Sequence, residues 1–360
     1  MLEVLRNWYH AYFSDEEAVY LLFILAAGLV LILLLGKMLA PALTALVVAY
    51  LLQGLVARLT RFGVPERVAV WIVFLLFLTA LVVTLMLLMP VIWKQTLNLV
   101  QDQLPRLLNA GERWLRALPA EYPEVISIHQ VNAIVDLAQR ELAHAGQMFL
   151  TLSLSSIPGL MDVLIFLVLV PLLVFFFMAD RKQLVDWATS FLPDRRRVLA
   201  NVWAEMDQQI ANYVRGKAVE ILIVGIATYI VFVILGLNYA LLLAVVVGLS
   251  VLIPYIGATA ATIPVAAVAY VQFGWGGDLA LVLVAYGIIQ FIDGNILVPF
   301  LFSEAVNLHP VAIIIAILLF GGLWGFWGVF FAIPLATLAK AVIYAWPKHQ
   351  RAVVVEPPVQ

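Results

Sequence analysis

The stretch Ile288–Phe302, "IIQFIDGNILVPFLF", closes an apolar run from Leu279 to Phe302 that is long enough to cross a bilayer as one helix. Between Gln290 and Asn295 the run nevertheless carries a glutamine, an aspartate, a glycine and an asparagine. An ionised carboxylate near the bilayer centre costs roughly 2.5–3.5 kcal/mol on insertion scales unless it faces a partner, a cavity or water. Tyr286, Gln290 and Asp293 follow the spacing i, i+4, i+7 and share one helix face, while Gly294 allows either close approach of another helix or an unwound turn. The polar stripe must point into protein. Two readings of Asp293 stand. Withdrawn from water, it can bind and release a proton or attract a cation as its surroundings change, or it can be a structural aspartate bonded to a helix terminus or to Asn295.

Working outward, 65% hydrophobic residues, 12% charged residues and a mean hydropathy of +1.06 mark an integral membrane protein. Soluble domains are about half apolar and about a quarter charged. A net charge of −2 with no long basic run excludes nucleic acid as a partner. The absence of cysteine removes disulfides, zinc–thiolate sites and thiol nucleophiles. Gly36-Lys37 and Gly216-Lys217 lack the rest of a phosphate-binding loop, and His10, His129, His144, His309 and His349 have no metal-ligand spacing. There is no Gly-x-Ser-x-Gly elbow either. Neither an enzyme nor a cofactor is expected. The first seventeen residues lack the pattern of a signal peptide; Leu2, Leu5, Trp8, Tyr9, Tyr12 and Phe13 fall on one side of a helix that either lies in the membrane interface or leads into the first span.

The pattern predicts an all-α, polytopic membrane protein with six full spans: Val19–Leu35, Met38–Ala57, Val68–Trp93, Ile157–Ala179, Ala218–Leu237 and Leu279–Phe302. The first two, joined by Gly36 and Lys37, should form a tight hairpin. Two longer blocks are broken near the middle. Tyr239–Val271 is interrupted at "IPYIGA", with Pro254, Tyr255 and Gly257, and Val311–Tyr344 at "GGLWGFWG", which contains Gly325. Each reads as a re-entrant hairpin, because two spans would leave only about 16 residues per leg where about 20 are needed. The blocks also resemble each other. "GATAATIPVAAVA" from Gly257 and "GVFFAIPLATLA" from Gly328 align with one gap, sharing Ile-Pro at Pro264 and Pro334. Paired, interrupted apolar segments point to a transporter's binding site.

Five domains follow: residues 1–93, a polar cap over 94–156, a span and basic linker over 157–217, a membrane core over 218–346 and a tail over 347–360. The cap has five Lys/Arg against six Asp/Glu and apolar residues at helical spacing, so it should form amphipathic helices split by "LPAEYPE". Arg58, Arg61 and Arg67, the run from Arg181 to Lys217, and Lys348 and Arg351 lie on one side if both termini are cytoplasmic, which turns the cap outward. The first hairpin then enters from outside and the second from the cytoplasm, bringing both tips beside Asp293. Glu220 reads as a residue near the cytoplasmic end that snorkels or pairs with Lys217. Glu304 and Asn307 are candidates for gating the cytoplasmic mouth, or plain capping residues.

"NYVRGKAVE", "GLNYALLLA", "SVLIPYIGA", "IDGNILVPFLFSEAVNLHP" and "FGGLWGFWGVFFAIPLATLAKAVI" together resemble the autoinducer-2 exporter family, in its PerM-type branch. The resemblance covers nearly the whole chain. It implies a protein of the bacterial inner membrane, a homo-oligomer with pentamers among relatives, that exports a small polar solute such as autoinducer-2, with cation/proton exchange in some members; coupling to protons or sodium through Asp293 is the expectation that goes with it. The family motif falls on Pro254, Tyr255, Gly257, Asp293, Gly294, Asn295 and Pro299. The competing expectation is a membrane scaffold in envelope or cell-division processes, acting through the cap.

Overall fold

The computed structural model describes residues 16–121, 127–137, 139–141, 157–192, 197–254, 256–302 and 308–345, and among these no strand occurs. Six helices among the described residues are long and apolar enough to cross a membrane, within Met38–Arg61, Glu66–Gln103, Val202–Ile234, Ile256–Phe273, Gly277–Phe302 and Pro310–Phe330. Large apolar side chains such as Leu75, Val168, Leu222, Ile230, Leu281 and Phe291 are exposed, as on helices whose outer surface faces lipid.

The N-terminal hairpin is not formed. Helix α1 runs without interruption from Glu16 to Arg61, 46 residues, through Gly36 and Lys37. A glycine inside a helix costs only about 1 kcal/mol, too little to stop so apolar a segment. At 1.5 Å per residue α1 is about 69 Å long, more than twice the hydrocarbon thickness. The case for a cytoplasmic N-terminus rested on two crossings before Arg58 and loses one of them.

The chain divides into two units. One combines Met1–Leu43, Asp180–Val214 and Glu304–Gln360; the other combines Thr44–Ala179 and Arg215–Ser303.

In the second unit, the end of α1 packs with α2 (Glu66–Asn98) and α4 (Ile157–Ala179) through Ala45, Ala49, Val56, Ala69, Val73, Val174 and Met178. A π-turn at Leu99–Gln103 joins α2 to α3 (Leu104–Glu121), the first cap helix. A helical segment over 128–137 follows, and Arg116, held within α3 by Glu112 at 2.8 Å, ties the two by donating to Asn132 at 3.1 Å. A second core unites α6 (Arg197–Ile234, from Arg215 onward), α7 (Ala240–Ser250), α8 (Ile256–Phe273) and α9 (Gly277–Ile292) through Val224, Phe232, Leu243, Val247, Val265, Val268, Val282 and Tyr286. A π-turn, Asp293–Leu297, continues α9 into α10 (Val298–Phe302).

The first broken block folds back on itself. At its tip a Cβ on Gly257 would collide with the backbone carbonyl of Ser250, so only glycine lets the legs meet there. At its open end Gln272 bonds both sides of the preceding turn: Nε2 donates to Gly236 O at 2.7 Å, and Oε1 accepts from Asn238 N at 2.7 Å. The 11 residues of α7 span only about 17 Å between these ends. The other leg, α8, has 18 residues, so the legs are unequal where equal ones were expected. Because both of these hydrogen bonds are exposed to solvent, Gln272→Ala should cost no more than about 1 kcal/mol, read as a small drop in Tm of the purified protein.

In the first unit, α11 (Pro310–Phe330) and α12 (Ala332–Ala345) form the second hairpin. Its reversal is at Gly325, whose φ of 61° and ψ of −136° break the helix. A Cβ on Gly328 would collide with the carbonyl of Phe320. Gly257 and Gly328, aligned with each other in the sequence, thus do the same job in the two hairpins. Tyr213 donates to Phe330 O at 3.0 Å, Val202 and Met206 pack on Ala341, and Trp324 lies against Gly36, where no side chain would fit. The short helix α5 (Arg181–Ser190) also belongs to this unit, where Arg181 lies 3.7 Å from Asp207.

Candidate functional site

The polar groups of the second unit gather where α6, the first hairpin and α9 meet. Tyr286 is buried, and its hydroxyl donates to Ala258 O at 2.9 Å, one turn past the break that contains Pro254. Gln290 is half-buried, and its Nε2 is buried without a hydrogen-bond partner among the described residues. Asp293 is 9% exposed, and its Oδ1 likewise has no partner among the described residues. All three lie on the inward face, and Asp293 opens a π-turn, a rare local widening often found at functional sites.

Two alternatives for this segment are settled by geometry. Asn295 is exposed and donates to Phe291 O at 2.9 Å, so it does not hold Asp293. Gly294 is exposed, and a Cβ there would meet nothing within 4 Å. Among the described residues no helix approaches it closely; its side faces away from the core, and the local loosening is the π-turn itself. Pro299 is exposed as well. Gly257 is at the hairpin tip, whereas Gly325 and the buried Pro334 belong to the hairpin of the other unit. Tyr255, Glu304 and Asn307 lie outside the described residues.

Two buried charged residues lie on α6. Lys217 and Glu220 are 4% and 1% exposed, so neither snorkels. The cause is length: α6 begins at Arg197, which puts both residues inside the apolar stretch Val202–Ile234 rather than at its end. The expected pairing is present, with Nζ of Lys217 at 3.1 Å from Oε1 and 2.8 Å from Oε2 of Glu220. Lys217 also donates to Val251 O at 2.8 Å, a carbonyl freed by the end of α7 at the hairpin tip. The Phe302 ring lies 5.3 Å from the same Nζ and packs on Gly216, where a Cβ would strike it. Thr228, two turns along the same face, is fully buried, and its Oγ1 has no partner among the described residues. The i, i+3 spacing of Lys217 and Glu220, continued by Val224 and Thr228, was the available signal.

A buried ion pair, a carboxylate with a bare oxygen and the end of a broken helix can exchange a small cation and offer hydrogen bonds to a polar solute. They contain no nucleophile–base pair, and no metal cluster of His, Asp and Glu occurs among the described residues.

A family model described as "AI-2E family transporter" matches residues 22–348. The chain is 48% identical over 352 residues, 98% of its length and 99% of the relative's, to "Putative permease PerM" of Escherichia coli (strain K12). It is 25% identical over 307 residues, 82% of this chain and 80% of the relative, to "Putative transport protein YueF" of Bacillus subtilis (strain 168). It is also 25% identical over 328 residues, 89% of this chain and 91% of the relative, to "AI-2 transport protein TqsA" of Escherichia coli (strain K12). With a model match over most of its length and six apolar helices of spanning length among its described residues, the chain is a multi-pass membrane protein of the AI-2E transporter family.

Proposed function

We propose that this protein is a secondary transporter of the bacterial inner membrane that exports a small polar solute, with the first hairpin and the Tyr286–Asp293 face of α9 lining the path and Asp293 coupling solute movement to protons or sodium. The observation that carries the reading is the Asp293 carboxylate, buried in an apolar span with an oxygen that has no hydrogen-bond partner among the described residues. A structural aspartate would spend both oxygens on the fold.

The hairpin supports the same reading. Its open end is clamped at Gln272, and its short leg, α7, reaches only about 17 Å of the roughly 30 Å hydrocarbon core, whereas α8 is long enough to cross it. A tip that ends inside the membrane is tolerated only where it is buried in protein or lines water. Positive residues at Arg58, Arg61 and Arg67 assign their loop to the cytoplasm, so the cap and the open end of this hairpin face outward. The TqsA relative is named for AI-2 transport, and a solute of that kind is the first candidate. A homo-oligomer is the assembly we assign.

The test is counterflow in proteoliposomes that contain the purified protein. Saturable uptake of autoinducer-2 or another small polar solute, above that of empty liposomes, is expected. Uptake at the level of empty liposomes across the panel would remove the transport reading in favour of a scaffold acting through the cap.

A further inference from the structure

The buried charges of this site do not balance, and the imbalance says what the site must hold. Glu220 and Asp293 supply two carboxylates and Lys217 one ammonium, all buried. Among the described residues of α6 from Arg215 onward and of α7 to α10, the remaining charged groups, Arg215 beside Gly54 and Asp278 at the start of α9, are exposed and leave the count unchanged. The titratable neighbour Tyr286 is a neutral hydroxyl bonded to Ala258 O. In α7, and in α8 before Tyr270, no side chain titrates. One negative charge is therefore in excess within an apolar span, and such a charge requires a partner.

The ammonium has three donors. Two are spent on Glu220 and Val251 O, and the π face of Phe302, 5.3 Å away, covers the cation on another side. Lys217 is thus held away from Asp293, whose Oδ1 stays bare.

We propose that Lys217, Glu220, Asp293 and the Val251 carbonyl form a monovalent-cation site in which the Lys217 ammonium is the resident cation of the Glu220 half and one exchangeable cation, a proton or sodium, fills the Asp293 half. The proposal rests on reading Asp293 as the coupling carboxylate. It adds Lys217 as the positioning residue: when Asp293 gives up its cation, the flexible ammonium is the nearest counter-charge. Its departure from Val251 O releases the tip of the hairpin. One exchangeable cation per subunit and the movement of the tip then follow from a single side chain.

The test reads cation binding without any solute. The full-length protein, purified in detergent, is unfolded thermally while sodium replaces choline at constant ionic strength, and separately while pH is varied without sodium. The wild type should show a Tm response to one of the two, which identifies sodium or the proton as the exchangeable cation, and Asp293→Asn should lose it. Glu220→Gln removes the excess charge and frees Lys217 for Asp293, so it should fold and lose the response too. Lys217→Met leaves two carboxylates for exchangeable cations and should respond more steeply than the wild type. If Lys217→Met does not fold, Glu220→Gln decides alone. A Glu220→Gln protein that keeps the wild-type response, or a wild type that responds to neither cation, overturns the proposal. Solute flux that persists in the latter case would leave the transport reading standing.

Discussion

Gly257→Val is expected to leave little folded protein in the membrane, and Gly328→Val to do the same. At both positions the atom that an added Cβ would meet is a backbone carbonyl, that of Ser250 or Phe320, which cannot swing away as a side chain would. Overpacking in a tight core costs typically 1–3 kcal/mol and sometimes more, and collision with backbone lies at the upper end, at about 3 kcal/mol. A fall of that size removes a large part of a marginal stability. Gly287→Ala is the control, because a Cβ there meets nothing within 4 Å. Fluorescence-detected size-exclusion profiles of tagged variants would show the difference: aggregate or loss of signal for the two valine variants, a normal peak for Gly287→Ala. A normal peak for Gly257→Val would mean that the legs of the first hairpin are not packed as described.

Asp293→Asn is expected to reduce coupled solute flux in proteoliposomes at least about tenfold, the rate equivalent of ~1.4 kcal/mol, without loss of assembly. Asparagine keeps the shape of the side chain but cannot carry the charge or take up the proton. Because the substitution removes a buried, unpaired charge, Tm should stay level or rise. The opposite pattern, a lower Tm with normal flux, would make Asp293 a structural residue.

The broken blocks were legible in the sequence because glycine and proline mark breaks directly: "IPYIGA" and "GGLWGFWG" are where the chain turns, and the aligned Gly257 and Gly328 share a steric role. The inward face of Tyr286, Gln290 and Asp293 was legible for a similar reason, since a 3.6-residue period fixes which side chains lie together. Helix length was harder to read. Gly36-Lys37 resembles a turn between two spans, yet a glycine penalty of about 1 kcal/mol does not end a helix flanked by so much apolar sequence. The same difficulty hid the ion pair. Lys217 and Glu220 looked like residues at a helix end because the apolar run begins at Ala218, but the helix starts at Arg197 and buries both. Val251 O, which joins the pair to the hairpin tip, is a backbone atom and leaves no mark in a sequence.

The central claim is that the tip of the first hairpin is an internal, water-reached part of a transport path entered from outside. The chain contains no cysteine, so Ala258→Cys, at the half-buried position whose carbonyl receives the Tyr286 hydroxyl, gives a single reporter beside the tip without disturbing Gly257. In sealed vesicles of known orientation, a membrane-impermeant thiol reagent should modify this cysteine from the extracytoplasmic side, and the rate should change when Asp293→Asn is added. Modification from the cytoplasmic side alone, or from neither side, would contradict the account.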